Sequence, residues 1–562
     1  HDAGTCNPAT GQCSHPAKPD GTACSDGSAC TTGDSCQAGA CTGAPKDCPQ
    51  LDGCHTATCD AATGVCGNVT KPECAGALPP DPCVAALPLD PTIPTTLKDQ
   101  VKQLWSAGIQ TGVTAATFDD ARAAAIHGVV RGADGAPLPG VTVRVAGHSE
   151  YGQTLSRADG QFDLVVNGGP LLTFDFQKAG YVAVQRTALT PWGNALSLDD
   201  VVLSTRQAAP TAISFGAGVT CQIARGDVES DADGARRGTL IVAPGTTANL
   251  KATGGALTPI TDASVRMTEL SVGPLGPQRL SGTLPVESAY GYATELAADE
   301  ALAANSALVL STPAVHYVEN VLQLPVGRSV PAASYDRTCA TCAGAWQPTT
   351  NGRVVRVLGV SGGMAALDTN GDEVAEQPSE LMANGFSACE LTQLAALYPV
   401  GTALVRNTLP RLGGWAMSPG YHGVVDDPVL HKKWPATDLA GGCVEDHGKI
   451  GIDTLNRRVL TRDPVTGTPY TLVCSSARSD KTDSKKEVVL WDDSPLGQLA
   501  RIDVYTTRGG KTTKQSYAPV PNLRAEIAWD GTDSCGRPLR GSQVVTLRIG
   551  YVYPGEYGDV PK

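Results

Sequence analysis

Apolar and polar residues alternate with a period of two along much of the chain. The clearest example is residues 126–145, IHGVVRGADGAPLPGVTVRV, in which glycine-containing turns separate two alternating stretches. Alternation bounded by Gly, Pro and Asp predicts short antiparallel strands joined by tight turns. The segments SRADGQFDLVV and TFDFQKAGYVAVQ repeat this scheme, so residues 126–204 are predicted to form a series of short strands joined by turns.

The same strand pattern continues downstream. GTLIVAP, ASVRMTELSVG and SALVLSTPAVHYVENV are short apolar stretches separated by turn residues, and residues 353–360 predict a further strand. His316 alternates with apolar neighbours in one of these stretches, which predicts a packed strand residue rather than a catalytic group. His127 falls in the first predicted strand of residues 126–204 and is interpreted as structural in the same way.

Helical periodicity is confined to a few short stretches. The clearest begins at Ser387, where Glu390 follows three residues later in a capping-box pattern. Apolar residues then fall on one face, and Pro399 ends the helix. Weaker helical patterns predict short helices at 97–105, 118–126 and 294–305.

Length and composition agree with a chain of several small β modules. The 562 residues exceed what one core accommodates and suggest roughly three to five domains. The 63 Gly and 40 Pro, with only 5% aromatic residues, favour turns and short strands over long helices. The predicted fold class is mainly β: a multidomain chain of small β-sandwich modules preceded by a disulfide-rich, loop-dominated segment.

Shifts in composition divide the chain into six expected segments. They are a cysteine-rich, disulfide-stapled repeat segment at 1–83, a Pro-rich linker with short helices at 84–125, the sandwich at 126–204, β-rich modules at 205–345, a mixed segment at 346–450 and a β-sandwich region at 451–562.

The charge and hydropathy of the chain exclude two classes of partner. The formal net charge is −13, and no Lys/Arg stripe interrupts the acidic composition. Nucleic acid and anionic membrane surfaces are therefore not expected partners. No apolar run approaches the ~20 residues that span a bilayer, so no membrane insertion by this segment is expected.

Cysteines are concentrated at the beginning of the chain. Twelve of the 19 lie within the first 83 residues, amid Gly, Asp and Pro. This density indicates a disulfide framework formed in an oxidising, extracellular compartment, with a zinc array as the alternative. The spacing leaves the pairing open. The predicted disulfide cysteines are Cys6, Cys13, Cys24, Cys30, Cys36, Cys41, Cys48, Cys54, Cys59, Cys66, Cys74 and Cys83.

The remaining seven cysteines are scattered between Cys221 and Cys535. Cys339 and Cys342 form a CATC motif that a redox pair, a disulfide or half of a zinc site would each explain. Cys443 and His447 would complete the zinc site. Because seven is an odd number, one of these cysteines is expected to be free, metal-bound or paired with a part of the chain that is missing from this sequence.

The strongest candidate ligand site is the acidic loop at 368–376. Oxygen ligands at alternate positions suit a hard cation such as calcium. Glu373 stands where an EF-hand turn requires Gly, so calcium and a plain acidic turn remain alternatives, and no other cofactor is expected. The candidate ligands are Asp368, Asn370, Asp372, Val374 through its carbonyl, and Glu376.

No catalytic constellation is recognisable in the sequence. HExxH, GxSxG and P-loop motifs are absent, so no catalytic residue is predicted. His422 and His431, with Asp426 and Asp427, form a polar cluster that either a metal site or a solvated loop would explain.

Three segments resemble known families. Residues 126–204 resemble the carboxypeptidase-regulatory-like domain, a structural β-sandwich without chemistry of its own. DTLNRRVLTRDPVTGTPYTLVCSSARSD at 453–480 and AEIAWDGTDSCGRPLRGSQVVTLRIGYVYPGEY, which starts at Ala525, resemble the region before the barrel in secreted bacterial Rhs/YD-repeat (teneurin-like) proteins. The repeated Tyr-Asp hairpins of that family are missing apart from Tyr335-Asp336, so the barrel is expected outside this sequence.

The resemblance implies a non-catalytic stalk and plug in a secreted or surface-displayed bacterial protein. Its partner would be a YD-repeat barrel, in the same or a processed chain, that encloses a toxin or interacts with a cell surface. Apolar residues around Val544, Leu547 and Ile549 would pack inside this shell, and strand edges would extend its sheet. The alternatives are a calcium-dependent adhesin that binds a glycan or cell-surface protein, and a metal-dependent hydrolase.

Overall fold

The computed structural model describes residues 4–14, 16–48, 55–70, 78–199, 201–273, 275–283, 291–337, 346–417, 445–447, 450–453, 458–464, 471–475, 485–490, 499–540, 543 and 545–552. These residues form many small sheets and few helices, which confirms the predicted mainly-β fold class. The chain divides into two compact units, His1–Leu78 with Lys178–Tyr181, and Pro79–Gln177 with Val182–Lys562.

The first unit contains two small hairpins. Their strands are β1 (Thr31–Gln37), β2 (Ala40–Pro45), β3 (His55–Cys59) and β4 (Cys66–Thr70). β1 pairs with β2 and β3 pairs with β4, both antiparallel. Most of the described side chains here are at least partly exposed. A unit with so little apolar burial depends on covalent cross-links for its stability.

Two short helices precede the sandwich of the second unit. α1 (Leu97–Val101) begins at a capping box between Thr96 and Asp99, and α2 (Gln103–Ser106) follows it. The sequence-based prediction of a helix at 118–126 is wrong, because strand β5 (Ala123–Gly132) begins there. The first four residues of β5 are all buried. A strand covered on both faces presents a continuous apolar run, which periodicity alone does not distinguish from a helix.

Eight strands of residues 123–203 form two packed sheets. After β5 they are β6 (Thr142–Val145), β7 (Gln153–Leu155), β8 (Gln161–Asn167), β9 (Leu171–Gln177), β10 (Val184–Leu189), β11 (Ala195–Ser197) and β12 (Val201–Leu203). One sheet has the order β10-β9-β6-β7, and in the other β5 pairs antiparallel with β8 and parallel with β11 and β12. Phe162 on one sheet meets Phe176 on the other edge to face, and both are fully buried. A 3-10 turn, Ser149–Tyr151, lies between β6 and β7.

The described residues between 211 and 417 form a larger module of two large sheets and a small two-stranded sheet, β15-β16. Its strands are β13 (Thr211–Ser214), β14 (Gln222–Arg225), β15 (Glu229–Asp231), β16 (Gly234–Arg236), β17 (Thr239–Val242), β18 (Ala248–Lys251), β19 (Leu257–Ile260), β20 (Asp262–Glu269), β21 (Tyr292–Ala298), β22 (Ala307–Glu319), β23 (Ser329–Val330), β24 (Ala332–Tyr335), β25 (Trp346–Pro348), β26 (Gly352–Ser361), β27 (Met364–Asp368), β28 (Ala403–Arg411) and β29 (Gly414–Met417). The order β13-β20-β21-β29-β24-β25 makes one sheet, and β14-β17-β22-β28-β26-β23 is the main path of the other. Leu240, Leu296 and Val318 belong to the apolar core that both sheets share.

Four short helices accompany these sheets. They are α3 (Gly276–Arg279), α4 (Asp299–Ala303), α5 (Pro378–Ala383) and α6 (Ala388–Leu397). The capping box at Ser387 is confirmed, and Leu391 and Leu394 of α6 pack on residues of the β14-containing sheet. The predicted helix at 294–305 is largely wrong, because all seven residues of β21 are buried inside a sheet. Among the described residues, no helix is long and apolar enough to cross a membrane.

The C-terminal part of the chain contains three further sheets. Its strands are β30 (Glu445–His447), β31 (Ile450–Asp453), β32 (Arg458–Pro464), β33 (Thr471–Ser475), β34 (Lys485–Val489), β35 (Arg501–Arg508), β36 (Lys511–Tyr517), β37 (Arg524–Ala528) and β38 (Thr546–Val552). The sheet orders are β30-β31-β32-β33, β34-β37 and β36-β35-β38. Gly509 and Gly510, with φ of 52° and 74°, form the two-residue turn between β35 and β36. Two consecutive positive φ values are typical of the tight turns that glycine favours in hairpins.

Candidate functional site

The predicted calcium loop is an exposed turn organised around one buried carboxylate. Asp368 is 1% exposed, and its oxygens accept hydrogen bonds from the amides of Asn370, Gly371 and Glu373 at 3.1, 2.7 and 3.1 Å. Glu373 has a φ of 61°, the left-handed conformation for which glycine is usually required. The loop therefore adopts its tight turn although glycine is missing from that position.

The other candidate ligands lie around this turn. Asn370 Oδ1 accepts a hydrogen bond from the Asp372 amide at 2.8 Å, and Asp372 Oδ1 accepts one from the Val374 amide at 2.9 Å. The Glu376 carboxylate accepts hydrogen bonds from the amide and hydroxyl of Thr369. Nowhere in the described part of the chain do three or more His, Cys, Asp or Glu residues form a group that could hold a metal ion. Calcium binding by this loop stays a prediction.

Nine of the twelve cysteines that were predicted to form disulfides are disulfide-bonded in the structure. The pairs are Cys6–Cys13, Cys24–Cys41, Cys30–Cys59, Cys48–Cys66 and Cys83–Cys535. Cys54 and Cys74 lie outside the described residues. Cys36 requires a correction: it is a free, buried thiol on β1, opposite Cys41, which is already bonded to Cys24. It packs as a small apolar side chain.

Two disulfides connect residues that are far apart in the sequence. Cys221 is bonded to Cys389 of α6, 168 residues away, and Cys83 is bonded to Cys535, 452 residues away. The sequence had assigned Cys83 to the N-terminal cysteine-rich segment, whereas its partner lies in the loop between β37 and β38. The candidate zinc or redox cysteines Cys339 and Cys342 lie outside the described residues.

The Cys83–Cys535 disulfide belongs to a larger junction, the anchor, made of residues 83–100, 533–540 and 543. The Thr95 amide donates to the Arg540 carbonyl at 3.1 Å, and the Arg540 amide donates to the Thr95 hydroxyl at 3.2 Å. One of these hydrogen bonds joins the two backbones, and the other joins the Arg540 backbone to the Thr95 side chain. The linker is therefore held at a second point besides the disulfide.

Arg537 provides the electrostatic part of the anchor. Its Nε donates to the carboxylate of Asp533 at 2.8 Å, Nη1 donates to the Leu87 carbonyl at 2.7 Å, and Nη2 donates to the Gln100 carbonyl. The side chains of Arg537 and Asp533 are 12% and 1% exposed. Asp533 also accepts hydrogen bonds from two amides of its own loop. One buried ion pair thus cross-links the C-terminal loop to two positions of the linker.

The C-terminal strands also contact the 123–203 sandwich. The contacts include hydrogen bonds between His127 and Thr512 (2.9 Å), between Asn194 and Thr546 (2.6 Å) and between Arg548 and Asp199 (2.7 Å). Burial lowers the pKa of His127, which favours the neutral imidazole at this contact. The anchor and these side-chain contacts together fasten the C-terminal strands at two places within the second unit.

Strand β38 lies at an edge of its sheet. It pairs with β35 from Thr546 opposite Thr507 to Val552 opposite Arg501, and no strand among the described residues pairs with its other side. Leu547 and Ile549 do not match the expectation that they face a shell. They are partly buried against the apolar core that β38 shares with its neighbouring strands. Val544 lies outside the described residues.

Glu390 is the centre of a buried polar cluster in the 211–417 module. Its side chain is 1% exposed, accepts a hydrogen bond from Arg406 Nε at 2.6 Å and another from the hydroxyl of Tyr317, and caps α6 through the Ser387 amide. The capping-box pattern identified Glu390 in the sequence, but its partners are 16 and 73 residues away and carried no local signal. The cluster joins α6 to β22 and β28.

A second titratable cluster lies beside a cavity of about 220 Å³. Glu269 and Tyr292 line the cavity, and burial raises the pKa of both groups. His316 stacks on Tyr292 with ring centroids 5.7 Å apart, is 3% exposed, and has no hydrogen-bond partner at Nε2. Burial lowers its pKa to about 4. His316 is a packed strand residue, as predicted, and is neutral at physiological pH. The other histidine candidates, His422 and His431, lie outside the described residues.

Comparison with solved structures reveals only distant likenesses. A streptococcal ancillary pilin has 12% sequence identity and a TM-score of 0.13, covering 26% of this chain and 45% of its own. A TM-score of this size does not establish a common fold.

Comparison with curated proteins finds clearer relatives over a short region. Teneurin-1 of Gallus gallus is 41% identical over 87 residues, and Teneurin-3 of Mus musculus is 40% identical over 90 residues. Each match covers 16% of this chain and 3% of the relative. The similarity therefore concerns one domain of much longer proteins.

A family model matches one segment of the chain. The Teneurin TTR-like domain matches residues 118–203, which contain all eight strands of the first sandwich of the second unit. The sequence had compared nearly the same residues with the carboxypeptidase-regulatory-like domain, and the matching model is the teneurin one. Residues 118–203 are thus similar to the Teneurin TTR-like domain, which makes the chain teneurin-like over this sandwich.

Proposed function

We propose that this chain is a non-catalytic, extracellular region with a role at the cell surface. More specifically, it forms the stalk and plug of a secreted or surface-displayed bacterial YD-repeat shell protein, which encapsulates and delivers a toxin or interacts with another cell. The proposed partner is the YD-repeat barrel, in the same or a processed chain. Disulfides along both units support an oxidising, extracellular location.

The observation that supports the plug is the position of β38. The anchor fixes the loop before β38, and the strand then lies at a sheet edge whose outer side is unpaired among the described residues. An unpaired edge is a template for adding a further strand, since its backbone amides and carbonyls point outward. A barrel strand adding to β38 would seat the plug through main-chain hydrogen bonds, while Leu547 and Ile549 stay in the core of the plug.

The proposal is tested on protein purified from its native source. Intact mass and C-terminal peptide mapping report whether the polypeptide continues into Tyr-Asp repeats, and lysine cross-linking reports what lies beside residues 451–562. We expect a continuing or co-purifying barrel, with cross-links from Lys511 and Lys514 on β36 to it. A structure in which residues 451–562 lie free of any barrel would rule out the plug.

A second candidate function is that of a calcium-dependent adhesin, and we propose calcium as the ligand of the 368–376 loop. The favouring observation is the exposed carboxylate of Asp372, which sits on a turn already folded around buried Asp368. Replacing Asp368 would unfold the turn whether or not calcium binds, because three amides would lose their acceptor. Asp372 is the discriminating position.

The substitution Asp372→Asn removes the charge and keeps one oxygen acceptor for the Val374 amide, while the hydrogen bond that the Asn370 side-chain amide donates to Asp372 Oδ2 is lost. We expect calcium to raise the thermal midpoint of the unmodified protein, with chelator as reference, and to have little effect on the variant. Asp134→Asn is the matched control, since Asp134 is also an exposed turn residue that accepts a backbone amide. An unmodified protein that does not respond to calcium, or a full response in Asp372→Asn, excludes calcium binding at this loop.

A further inference from the structure

The Cys83–Cys535 disulfide closes almost the whole second unit into one covalent loop. The two cysteines are 452 residues apart in sequence, with Cα atoms 5.0 Å apart. Residues 84–534, which include the TTR-like sandwich and the 211–417 module, all lie inside this loop. The disulfide therefore links the residues before Cys83 directly to those after Cys535, by a covalent route that bypasses the enclosed residues.

We propose that the anchor is a force-transmitting junction with a mechanical function. Tension applied to the two ends of the second unit passes from Cys83 through the disulfide to Cys535, and the TTR-like sandwich and the 211–417 module carry none of it. This inference goes beyond the plug role and does not require the shell. For a stalk held between a cell and a bound partner, such a route keeps the enclosed modules folded under tension.

Noncovalent contacts of the anchor hold the linker and the loop between β37 and β38 together around the Cys83–Cys535 disulfide. Arg537 connects the loop to the Leu87 and Gln100 carbonyls, and Thr95 exchanges hydrogen bonds with Arg540. These contacts lie on the linker side inside the loop, so they hold the first enclosed residues against the junction. The enclosed linker thus stays attached at the point where the load passes.

The route continues from Cys535 to the end of β38. The Ser534 amide donates to the Gly509 carbonyl at 2.9 Å, which attaches the junction to the hairpin end of β35. β38 is paired with this same end of β35 at Thr546 and leaves at the opposite end, at Val552. Force on Val552 acts along the strand, whereas the inter-strand hydrogen bonds run perpendicular to it. The pairs between Thr546 and Val552 are then loaded together rather than one after another.

Force spectroscopy on the full oxidised chain, held at its two termini in an optical trap, tests the proposal. The variant that lacks both Cys83 and Cys535 (each →Ser) exposes the 452-residue loop to force, except for the 168 residues still closed by Cys221–Cys389. The remaining ~284 residues, at roughly 3.6 Å per residue, correspond to as much as about 1,000 Å of added extension. We expect the unmodified protein to release none of this length.

The matched control replaces Cys221 and Cys389 by Ser, which removes a long-range disulfide but keeps the anchor closed. We expect the control to extend no further than the unmodified protein. Should the Cys83/Cys535 variant fold poorly, a reductant can be added to an unmodified molecule already under tension. It opens every disulfide, but the 78 residues of His1–Leu78 supply at most about 280 Å at roughly 3.6 Å per residue, so we expect a gain far above this value from the Cys83–Cys535 loop. Release of about 1,000 Å by the oxidised unmodified protein, or a gain on reduction no larger than the share of the first unit, overturns the proposal.

Discussion

Replacing Arg537 by Met is the sharpest test of the anchor within the folded protein. Met fills a similar volume but removes the guanidinium that pairs with Asp533 and donates to the Leu87 and Gln100 carbonyls. The Asp533 side chain is 1% exposed, so the substitution leaves a buried carboxylate without its cation. Removing one partner of a buried ion pair costs about 3–5 kcal/mol, because the remaining charge stays desolvated.

The loss should be local, since the disulfide still joins the two segments. We therefore expect hydrogen exchange, rather than global unfolding, to report it most directly. A local destabilisation of about 3 kcal/mol corresponds to amide exchange on the order of 100-fold faster when exchange follows the local opening equilibrium. The amides concerned lie in residues 83–106 and 530–540, and mass spectrometry of peptides from these segments measures them.

Arg548→Met is the matched control for this prediction. Arg548 pairs with Asp199 at 2.7 Å, but the two side chains are 46% and 66% exposed. Exposed ion pairs contribute about 0–1 kcal/mol, so this variant should change exchange by a few-fold at most. If Arg537→Met changes exchange in the anchor no more than Arg548→Met does, the ion pair does not hold the linker in place and the reasoning is refuted.

Three further predictions concern other parts of the second unit. Because burial lowers the pKa of His316 to about 4, the folded state binds its proton less readily than the unfolded chain. The contribution of His316 to stability is therefore complete above pH 6.5 and falls, by about 3 kcal/mol in all, as the pH drops towards 4. His316→Gln should make the urea midpoint depend less on pH between 6.5 and 5. An unchanged pH dependence of the midpoint would contradict the assignment. Glu390→Gln should lower the stability of the 211–417 module by about 3 kcal/mol because Arg406 keeps a buried charge, whereas Tyr317→Phe should cost about 1 kcal/mol. Denaturant unfolding, monitored by hydrogen exchange of the α6 amides, compares the two variants. Similar losses of stability in both would refute the charge argument. Replacing both Cys83 and Cys535 by Ser should lower the denaturant midpoint of the second unit. The loop-entropy model sets the upper limit of the lost free energy of unfolding at about 6 kcal/mol. A midpoint within error of the unmodified protein would indicate that the noncovalent contacts alone close the loop.

The parts of the fold that depend on neighbouring residues could be predicted from the sequence. Alternation and turn residues located the strands around 126–145, and the capping box located α6. The same reasoning failed at 118–126 and 294–305, where β5 and β21 present continuous buried residues. A strand covered on both faces has lost the alternation that identifies strands, and its run of alanines favours a helix in isolation.

The anchor could not have been predicted, because nothing local marks Cys83 as a partner of Cys535. The odd number of cysteines from Cys221 onward showed that one of them lacks a partner within that group, and the sequence reasoning looked for this partner in missing chain. It treated the first twelve cysteines as a closed set. The structure instead pairs Cys83 with Cys535 and leaves Cys36 as a free thiol. Likewise, Asp533 and Arg537 are close in the sequence, but the hydrogen bonds from Arg537 to the Leu87 and Gln100 carbonyls depend on tertiary structure.

The anchor and the edge of β38 support each other in the proposed plug. Strand addition forms main-chain hydrogen bonds, but it also requires the accepting strand to be held still, and ordering a mobile strand during binding would reduce the affinity. β38 is ordered in advance by its register with β35, by the core contacts of Leu547 and Ile549, and by the junction at Cys535. The burial of these apolar residues, which contradicts the expectation from the sequence, is therefore compatible with a plug. A plug of this kind presents a rigid backbone edge instead of an apolar face, and its recognition of the shell depends on geometry more than on side-chain chemistry.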